Sequence, residues 1–89
     1  MATGLFIAIE GGEGAGKSTH SKRLAEYLQS LGHEVVLTRE PGGTAIGGAL
    51  RAAMLDTNNT MLSPRAEALM MSADRAQHID ELILPTLAS

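Results

Sequence analysis

The feature that most constrains this sequence is the glycine-rich segment GGEGAGKS, which occupies residues 11–18. It fits the pattern G-x-x-x-x-G-K-[ST], in which glycines let several backbone N–H groups point inward at a triphosphate. A short apolar run over residues 5–9 precedes the segment, and an amphipathic pattern over residues 17–31 follows it. Because a strand, a glycine turn and a helix are the context that this pattern requires, the segment predicts a P-loop.

The polar residues of the predicted P-loop each have a chemical role. The N-terminus of the following helix supplies unpaired N–H donors and roughly half a positive charge. Lys17 would reach the β- and γ-phosphates of a nucleoside triphosphate, and the hydroxyl of Ser18 would ligate Mg²⁺. GTPases, motor ATPases and small-molecule kinases share this motif, so it does not by itself identify the reaction. The predicted ATP-binding residues are Gly11, Gly12, Glu13, Gly14, Ala15, Gly16, Lys17, Ser18 and Thr19.

The rest of the chain predicts alternating strands and helices. Within residues 34–38 (EVVLT), Val35, Val36 and Leu37 are apolar and mostly β-branched, and they lead into a Pro-Gly-Gly turn, which predicts a second strand. Strand, helix and strand in this order form a βαβ unit with parallel strands, so the predicted fold class is α/β. A second helix is predicted over residues 44–56. A third begins at Pro64 after a capping Ser63 and runs into the 80s, where Pro85 ends or kinks it.

Composition excludes several classes of function. The chain has 44% hydrophobic and 19% charged residues, which predicts a packed core. A net charge of −3 without a basic cluster argues against a surface for nucleic acid, and the absence of cysteine excludes disulfides and thiolate metal sites. We find neither a membrane-spanning run nor a signal-peptide pattern at the N-terminus, so we expect a cytoplasmic location without a membrane partner.

Two further motifs point to a particular family. Residues 38–44 (TREPGGT) follow the second predicted strand, at the sheet edge where open α/β folds bind ligands. Residues 66–69 (AEAL) and 73–78 (ADRAQH) come next. Together with FIAIEGGEGAGKST, these segments resemble bacterial thymidylate kinase in order and spacing. The resemblance implies a P-loop NTPase fold of the nucleoside monophosphate kinase type, with a parallel sheet and flanking helices. It also implies a homodimer and transfer of the γ-phosphoryl group of ATP to dTMP.

The resemblance implies roles for residues of the first two motifs. Glu13 would accept a hydrogen bond from the 3′-hydroxyl of the deoxyribose. Arg39 and Glu40 would organise the phosphate and magnesium region and, with Lys17, form the catalytic set. Pro41 would pack beneath the thymine. Without the family, Glu13 could simply cap its loop, and residues 38–44 could be an ordinary turn.

Residues of the predicted helices complete the implied dTMP site. Arg51 matches a family arginine that approaches the dTMP phosphate, and Arg75 matches one that hydrogen-bonds the thymine carbonyl, a task suited to a planar donor fork. Where the family usually has an aromatic ring that stacks on thymine, this chain has Met71. The alternatives are a surface arginine for Arg51, core packing for Met71, and for Arg75 a salt bridge to Asp74 or Glu81.

The resemblance also implies that residues 1–89 lack segments that family members contain. Family members continue with a buried strand, a lid that carries catalytic arginines and an adenine-binding loop, so residues 1–89 are expected to form a single incomplete kinase domain that is inactive alone. The third strand would lie between the first two. Other hypotheses are a different P-loop nucleoside or nucleotide kinase, and a non-catalytic nucleotide-binding or dimerising module.

Overall fold

A computed structural model describes residues 4–11 and 16–89 of the chain. These residues form two compact units, one containing Leu5–Leu37 and the other containing Thr38–Ser89 together with Gly4. The described residues contain four α-helices and one π-helical turn. None of these helices combines the length and the apolar character needed to cross a bilayer.

The first unit is organised around helix α1, Lys17–Ser30. The helix begins directly after Gly16, whose φ of 77° lies in the left-handed region that favours glycine. It ends at Leu31, and Gly32 follows with φ 92°. The predicted helix over residues 17–31, stopped by glycine, is therefore confirmed to within one residue.

The two predicted strands are absent from the described residues. Residues 5–9 and 34–38 have no regular secondary structure, and their apolar side chains are largely exposed, with Leu5 84% and Phe6 57% accessible. An apolar run becomes a strand only when its backbone N–H and C=O groups pair with a neighbouring strand. No strand in the described residues offers that pairing, so the expectation of two strands in a parallel sheet is not confirmed by the described residues.

The second unit begins with a loop over residues 38–44 and helix α2, Ala45–Leu55. The Thr44 hydroxyl caps α2 by accepting a hydrogen bond of 2.9 Å from the backbone N–H of Gly47. A hydroxyl in this position satisfies one of the donors that a helix start leaves unpaired. The predicted helix over residues 44–56 is confirmed, with Thr44 and Asp56 as its two caps.

Helix α3, Pro64–His78, starts as the sequence predicts. The Ser63 hydroxyl accepts from the Ala66 N–H at 3.1 Å, and Pro64 occupies the first turn, where its missing N–H costs nothing. A π-helical turn, Ile79–Ile83, and helix α4, Leu84–Ala88, continue the same rod. Pro85 lies in the first turn of α4, immediately after the π turn, so the predicted disturbance at this proline is a local widening of the helix.

The buried residues of the second unit are polar or small. They are Thr44, Gly47, Asp74 and His78. Among the apolar residues that the structure describes, Ala25 in α1 is the buried one. The expectation of a packed apolar core is therefore wrong for the described residues, because helices that each contribute one apolar stripe need further elements to cover it.

Gly47 lies where α2 approaches α3. A Cβ atom added there would collide with Asp74 Oδ1 and lie 3.1 Å from Thr44 Oγ1. A Cβ at the neighbouring Gly48 would meet no atom within 4 Å. The two adjacent glycines therefore differ in function, since only Gly47 is required by the close approach of the helices.

We predict that Gly47→Ala and Gly48→Ala have opposite effects on stability. Gly47→Ala forces Asp74 and α2 apart, and such overpacking costs about 1–3 kcal/mol. Gly48→Ala adds helix propensity without a collision and should stabilise by up to about 1 kcal/mol. Urea unfolding followed by circular dichroism measures both free energies, and equal effects would contradict this account of the contact between α2 and α3.

Candidate functional site

The loop over residues 38–44 is held against α3 by two buried side chains. Asp74 and His78 lie one turn apart on the same face of α3 and are 0% and 2% exposed. Asp74 Oδ1 accepts a hydrogen bond of 3.0 Å from the backbone N–H of Gly42. Asp74 Oδ2 is buried without a partner among the described residues, so the carboxylate depends on that single bond.

His78 contacts the side chains of two residues of this loop, Thr38 and Glu40. Its Nε2 lies 2.7 Å from Thr38 Oγ1, and its Nδ1 lies 2.8 Å from Glu40 Oε2. An ionised carboxylate only accepts hydrogen bonds, so Nδ1 carries a proton and its N–H donates a hydrogen bond to Glu40. In the neutral imidazole, Nε2 is then left to accept from the Thr38 hydroxyl.

Glu40 joins His78 to Arg75. The Nε of Arg75 donates to Glu40 Oε1 at 2.9 Å, and Arg75 Nη2 lies 2.9 Å from the same oxygen. Both carboxylate oxygens of Glu40 therefore accept hydrogen bonds, Oε1 from Arg75 and Oε2 from His78. Burial alone would raise the pKa of Glu40, but the hydrogen bonds from His78 and Arg75 outweigh it and leave the pKa below its ordinary value.

The order hydroxyl, imidazole and carboxylate in Thr38, His78 and Glu40 is also that of a hydrolase triad. Gly43 excludes this use. A Cβ on Gly43 would lie 2.6 Å from Thr38 Oγ1 and 2.7 Å from His78 Nε2, so its Cα already covers both atoms. No space is left there for a substrate carbonyl, and the arrangement is a structural one.

Two further arginines surround Gly42 in the same loop. Arg51 of α2 donates from Nη1 to the Pro41 carbonyl at 3.1 Å. A Cβ at Gly42 would lie 3.0 Å from Arg51 Cδ and 3.6 Å from Arg39 Nε, so both side chains pass close to this glycine. No carboxylate pairs with Arg39 or Arg51 among the described residues. Two guanidinium groups without an acidic partner form a region suited to an anion.

The structure therefore brings together most of the predicted dTMP-binding residues. Glu40, Pro41 and Arg51 meet at the loop, and Arg75 reaches it from α3. Arg39, from the predicted catalytic set, lies in the same loop. Met71 lies one turn before Arg75 on the same face of α3 and is 38% exposed, so it is not a core residue. Arg75 pairs with Glu40, whereas the alternative partners suggested by the sequence, Asp74 and Glu81, bind Gly42 and Gln77 instead.

The predicted triphosphate site belongs to the other unit. Lys17, Ser18 and Thr19 form the first turn of α1 and are exposed, while Gly12, Glu13, Gly14 and Ala15 lie outside the described residues. Ser18 Oγ makes no hydrogen bond to any described residue. An exposed hydroxyl at a helix N-terminus fits Mg²⁺, which usually takes one or two protein ligands together with phosphate oxygens and water.

Sequence reasoning missed Asp74 and His78, which hold the loop in place. The spacing of four residues between an acid and a histidine on a predicted helix was the available signal, because it places both on one face. The same reasoning treated Gly47 only as a weak point of α2. Nothing in the local sequence indicates that Gly42, Gly43 and Gly47 face these two buried side chains, since the contacts join separate elements.

Comparison with known proteins identifies relatives along nearly the whole chain. The family model described as thymidylate kinase matches residues 9–89. A thymidylate kinase of Nitrosomonas europaea is 55% identical over 87 residues, covering 98% of this chain and 40% of the relative. One of Desulfovibrio desulfuricans is 54% identical over 83 residues, covering 93% and 38%. This chain therefore spans about 40% of the length of the curated relatives it matches.

The lowered pKa of Glu40 predicts a loss of stability in acid. A carboxyl group whose pKa is lower in the folded chain than in the unfolded chain stabilises the fold above its ordinary pKa, which is 4.5 for Glu40. That stabilisation disappears as the pH falls through the lower folded value. Thermal unfolding of the parent and of Glu40→Gln should therefore converge between about pH 5 and pH 3.

The control for this experiment is Asp80→Asn. Asp80 is exposed and makes no ion pair within the described residues, so its replacement should leave the pH profile of the parent unchanged. If the difference in melting temperature between the parent and Glu40→Gln were constant over the whole range, the ion pairs to Glu40 would not contribute to stability.

Proposed function

Because the chain belongs to the thymidylate kinase family, we propose that it provides the triphosphate-binding and dTMP-binding segments of an enzyme that transfers the γ-phosphoryl group of ATP to dTMP. The products are dTDP and ADP. The observation that carries the proposal is the loop over residues 38–44, around which Arg39, Arg51 and Arg75 gather while Glu40 orients one of them. Three guanidinium groups and one carboxylate leave an excess of positive charge, which suits a nucleoside monophosphate.

Each residue of the cluster is assigned a role in binding dTMP. Arg51 and Arg39 attract the phosphate, and Arg75 donates to the thymine carbonyl through the part of its fork that Glu40 leaves open. Pro41 and Met71 supply apolar surface against the pyrimidine, the thioether of Met71 standing in for an aromatic ring. Glu13 accepts from the ribose hydroxyl.

The triphosphate is bound by the N-terminal turn of α1 and the residues before it. Backbone N–H groups of Gly11–Thr19 and the ammonium group of Lys17 surround the phosphates, and the exposed start of α1 supports this assignment. Ser18 would hold Mg²⁺, which neutralises charge on the phosphates when bound. Positioning and charge stabilisation supply nearly all of the catalysis in phosphoryl transfer, so Lys17, Arg39 and Glu40 form the proposed catalytic set.

The finer features of the fold are proposed on the same basis. Residues 5–9 and 34–38 form parallel strands when a third strand lies between them, and the exposure of Phe6, Val36 and Leu37 supports this, because these side chains are uncovered here.

Apolar Leu69 on α3 is 65% exposed and supports a homodimer packed through this region. A cytoplasmic location completes the proposal. Light scattering with and without nucleotide tests the dimer, which a persistent monomer would contradict.

We predict that Lys17→Ala weakens ATP binding by roughly tenfold or more, since a hydrogen bond to a charged group contributes about 1.5–3 kcal/mol. Titration of the chain with a fluorescent ATP analogue measures the affinity. The matched control is Lys22→Ala, which removes an exposed lysine of the same helix, outside the motif. Equal affinities for the parent and Lys17→Ala would contradict the assignment of the P-loop.

We predict that residues 1–89, fused to the remainder of the Nitrosomonas relative, phosphorylate dTMP in preference to dCMP, dGMP and AMP. Formation of dTDP is followed with ATP as the donor, and Arg75→Ala should lower kcat/KM for dTMP roughly tenfold or more, because it removes a charged hydrogen bond. Preference for another acceptor would favour a different nucleotide kinase. The 89-residue chain serves as the comparator, and turnover near that of the fusion protein would contradict the expected need for lid arginines.

A further inference from the structure

We propose that His78 is a positioning residue for dTMP recognition, acting through Glu40 on Arg75. This inference rests on the proposed function, because it concerns the arginine that is assigned to the thymine. His78 is too deeply buried to touch a ligand, with only 3% of its side chain exposed. Its effect on a substrate must therefore pass through the groups that it contacts.

The first step is the dependence of Arg75 on Glu40. The Arg75 side chain is 69% exposed, and Glu40 is the only described residue that binds its guanidinium group. An exposed arginine samples many rotamers, and holding it in one of them beforehand reduces the entropy lost when a ligand binds. The direction of the Arg75 fork is thus set by the position of Glu40 Oε1.

The second step is the dependence of Glu40 on His78. Oε2 of Glu40 receives its hydrogen bond from His78 Nδ1 at 2.8 Å, so one oxygen is anchored while the other orients Arg75. The imidazole is itself fixed, because Nε2 lies 2.7 Å from Thr38 Oγ1 and Gly43 covers it from the loop. A rigid, buried ring therefore anchors a carboxylate, which anchors an exposed cation.

Two variants separate the two nitrogen atoms of His78. Asparagine places its amide near the position of Nδ1, so His78→Asn can still donate to Glu40 while losing Thr38. Glutamine reaches the position of Nε2, so His78→Gln keeps a partner for Thr38 and loses the bond to Glu40. The two variants make the same kind of change, a neutral amide for an imidazole, and differ in which contact remains.

The direct measurement is the mobility of Arg75 in the 89-residue chain without nucleotide. The ¹⁵N order parameter of the Arg75 Nε–H reports rigidity on the picosecond to nanosecond scale. It should be high in the parent and in His78→Asn, and in His78→Gln it should fall to the value of Arg65. Arg65 is exposed and makes no ion pair among the described residues, so it serves as the internal reference.

The second measurement uses the fusion protein of residues 1–89 with the remainder of the Nitrosomonas relative. His78→Gln should raise KM for dTMP roughly two- to tenfold, the cost of immobilising one long side chain, with KM for ATP little changed. In an Arg75→Ala background the same substitution should have no further effect on KM for dTMP, because the positioned group is absent. A purely structural role of His78 would add its effect in both backgrounds.

The outcomes are distinguishable. Equal loss of Arg75 order in both variants, no loss in His78→Gln, or additive effects with Arg75→Ala would overturn the proposal. If either variant failed to fold, the ¹⁵N spectrum of the parent imidazole would still decide, since a proton on Nε2 with a bare Nδ1 contradicts the bond to Glu40. If the fusion protein did not phosphorylate dTMP, the proposed function would fail, while the order parameters would still test the link from His78 to Arg75.

Discussion

The second unit depends on a pair of buried polar side chains that tie a loop to a helix. Asp74 and His78 project from one face of α3 and bind, respectively, a backbone N–H and a side-chain carboxylate of residues 38–44. Hydrogen bonds have strict geometry, whereas apolar contacts do not, so this arrangement specifies one position for the loop. Placement of the arginines follows from it, because Arg51 contacts the loop backbone and Arg75 contacts Glu40.

Helix positions could be read from the sequence because their signals are local. Ser63 followed by Pro64 predicts the start of α3, and Gly32 predicts the end of α1, since capping depends on residues within one turn. The strands could not be read in the same way. Residues 5–9 carry the apolar pattern of a buried strand, but strand formation requires hydrogen bonds to distant residues, which a pattern within five residues does not reveal.

The candidate site shows the same difference between features with a local sequence signal and features that depend on distant residues. Lys17 and Ser18 were recognised from a contiguous motif, and Arg39, Glu40, Pro41, Arg51, Met71 and Arg75 from a family resemblance that the family match supports. Their roles stay predictions, although the structure gathers the loop residues, Arg51 and Arg75. The sequence did not predict the residues that hold Glu40 and Arg75 in position. His78, Thr38 and Gly43 meet across 35 to 40 positions of sequence, and only the folded chain shows that a histidine fits between a hydroxyl and a carboxylate.

The widened turn before Pro85 changes which way the end of the chain faces. A π turn contains one more residue than an α turn, and each added residue rotates everything after it by about 100° around the helix axis. Leu87, placed by that rotation, accepts a hydrogen bond of 2.8 Å from the Gly4 N–H, and its side chain lies against the same glycine. The backbone that follows the π turn thereby binds Gly4, which lies more than 80 positions earlier in the sequence.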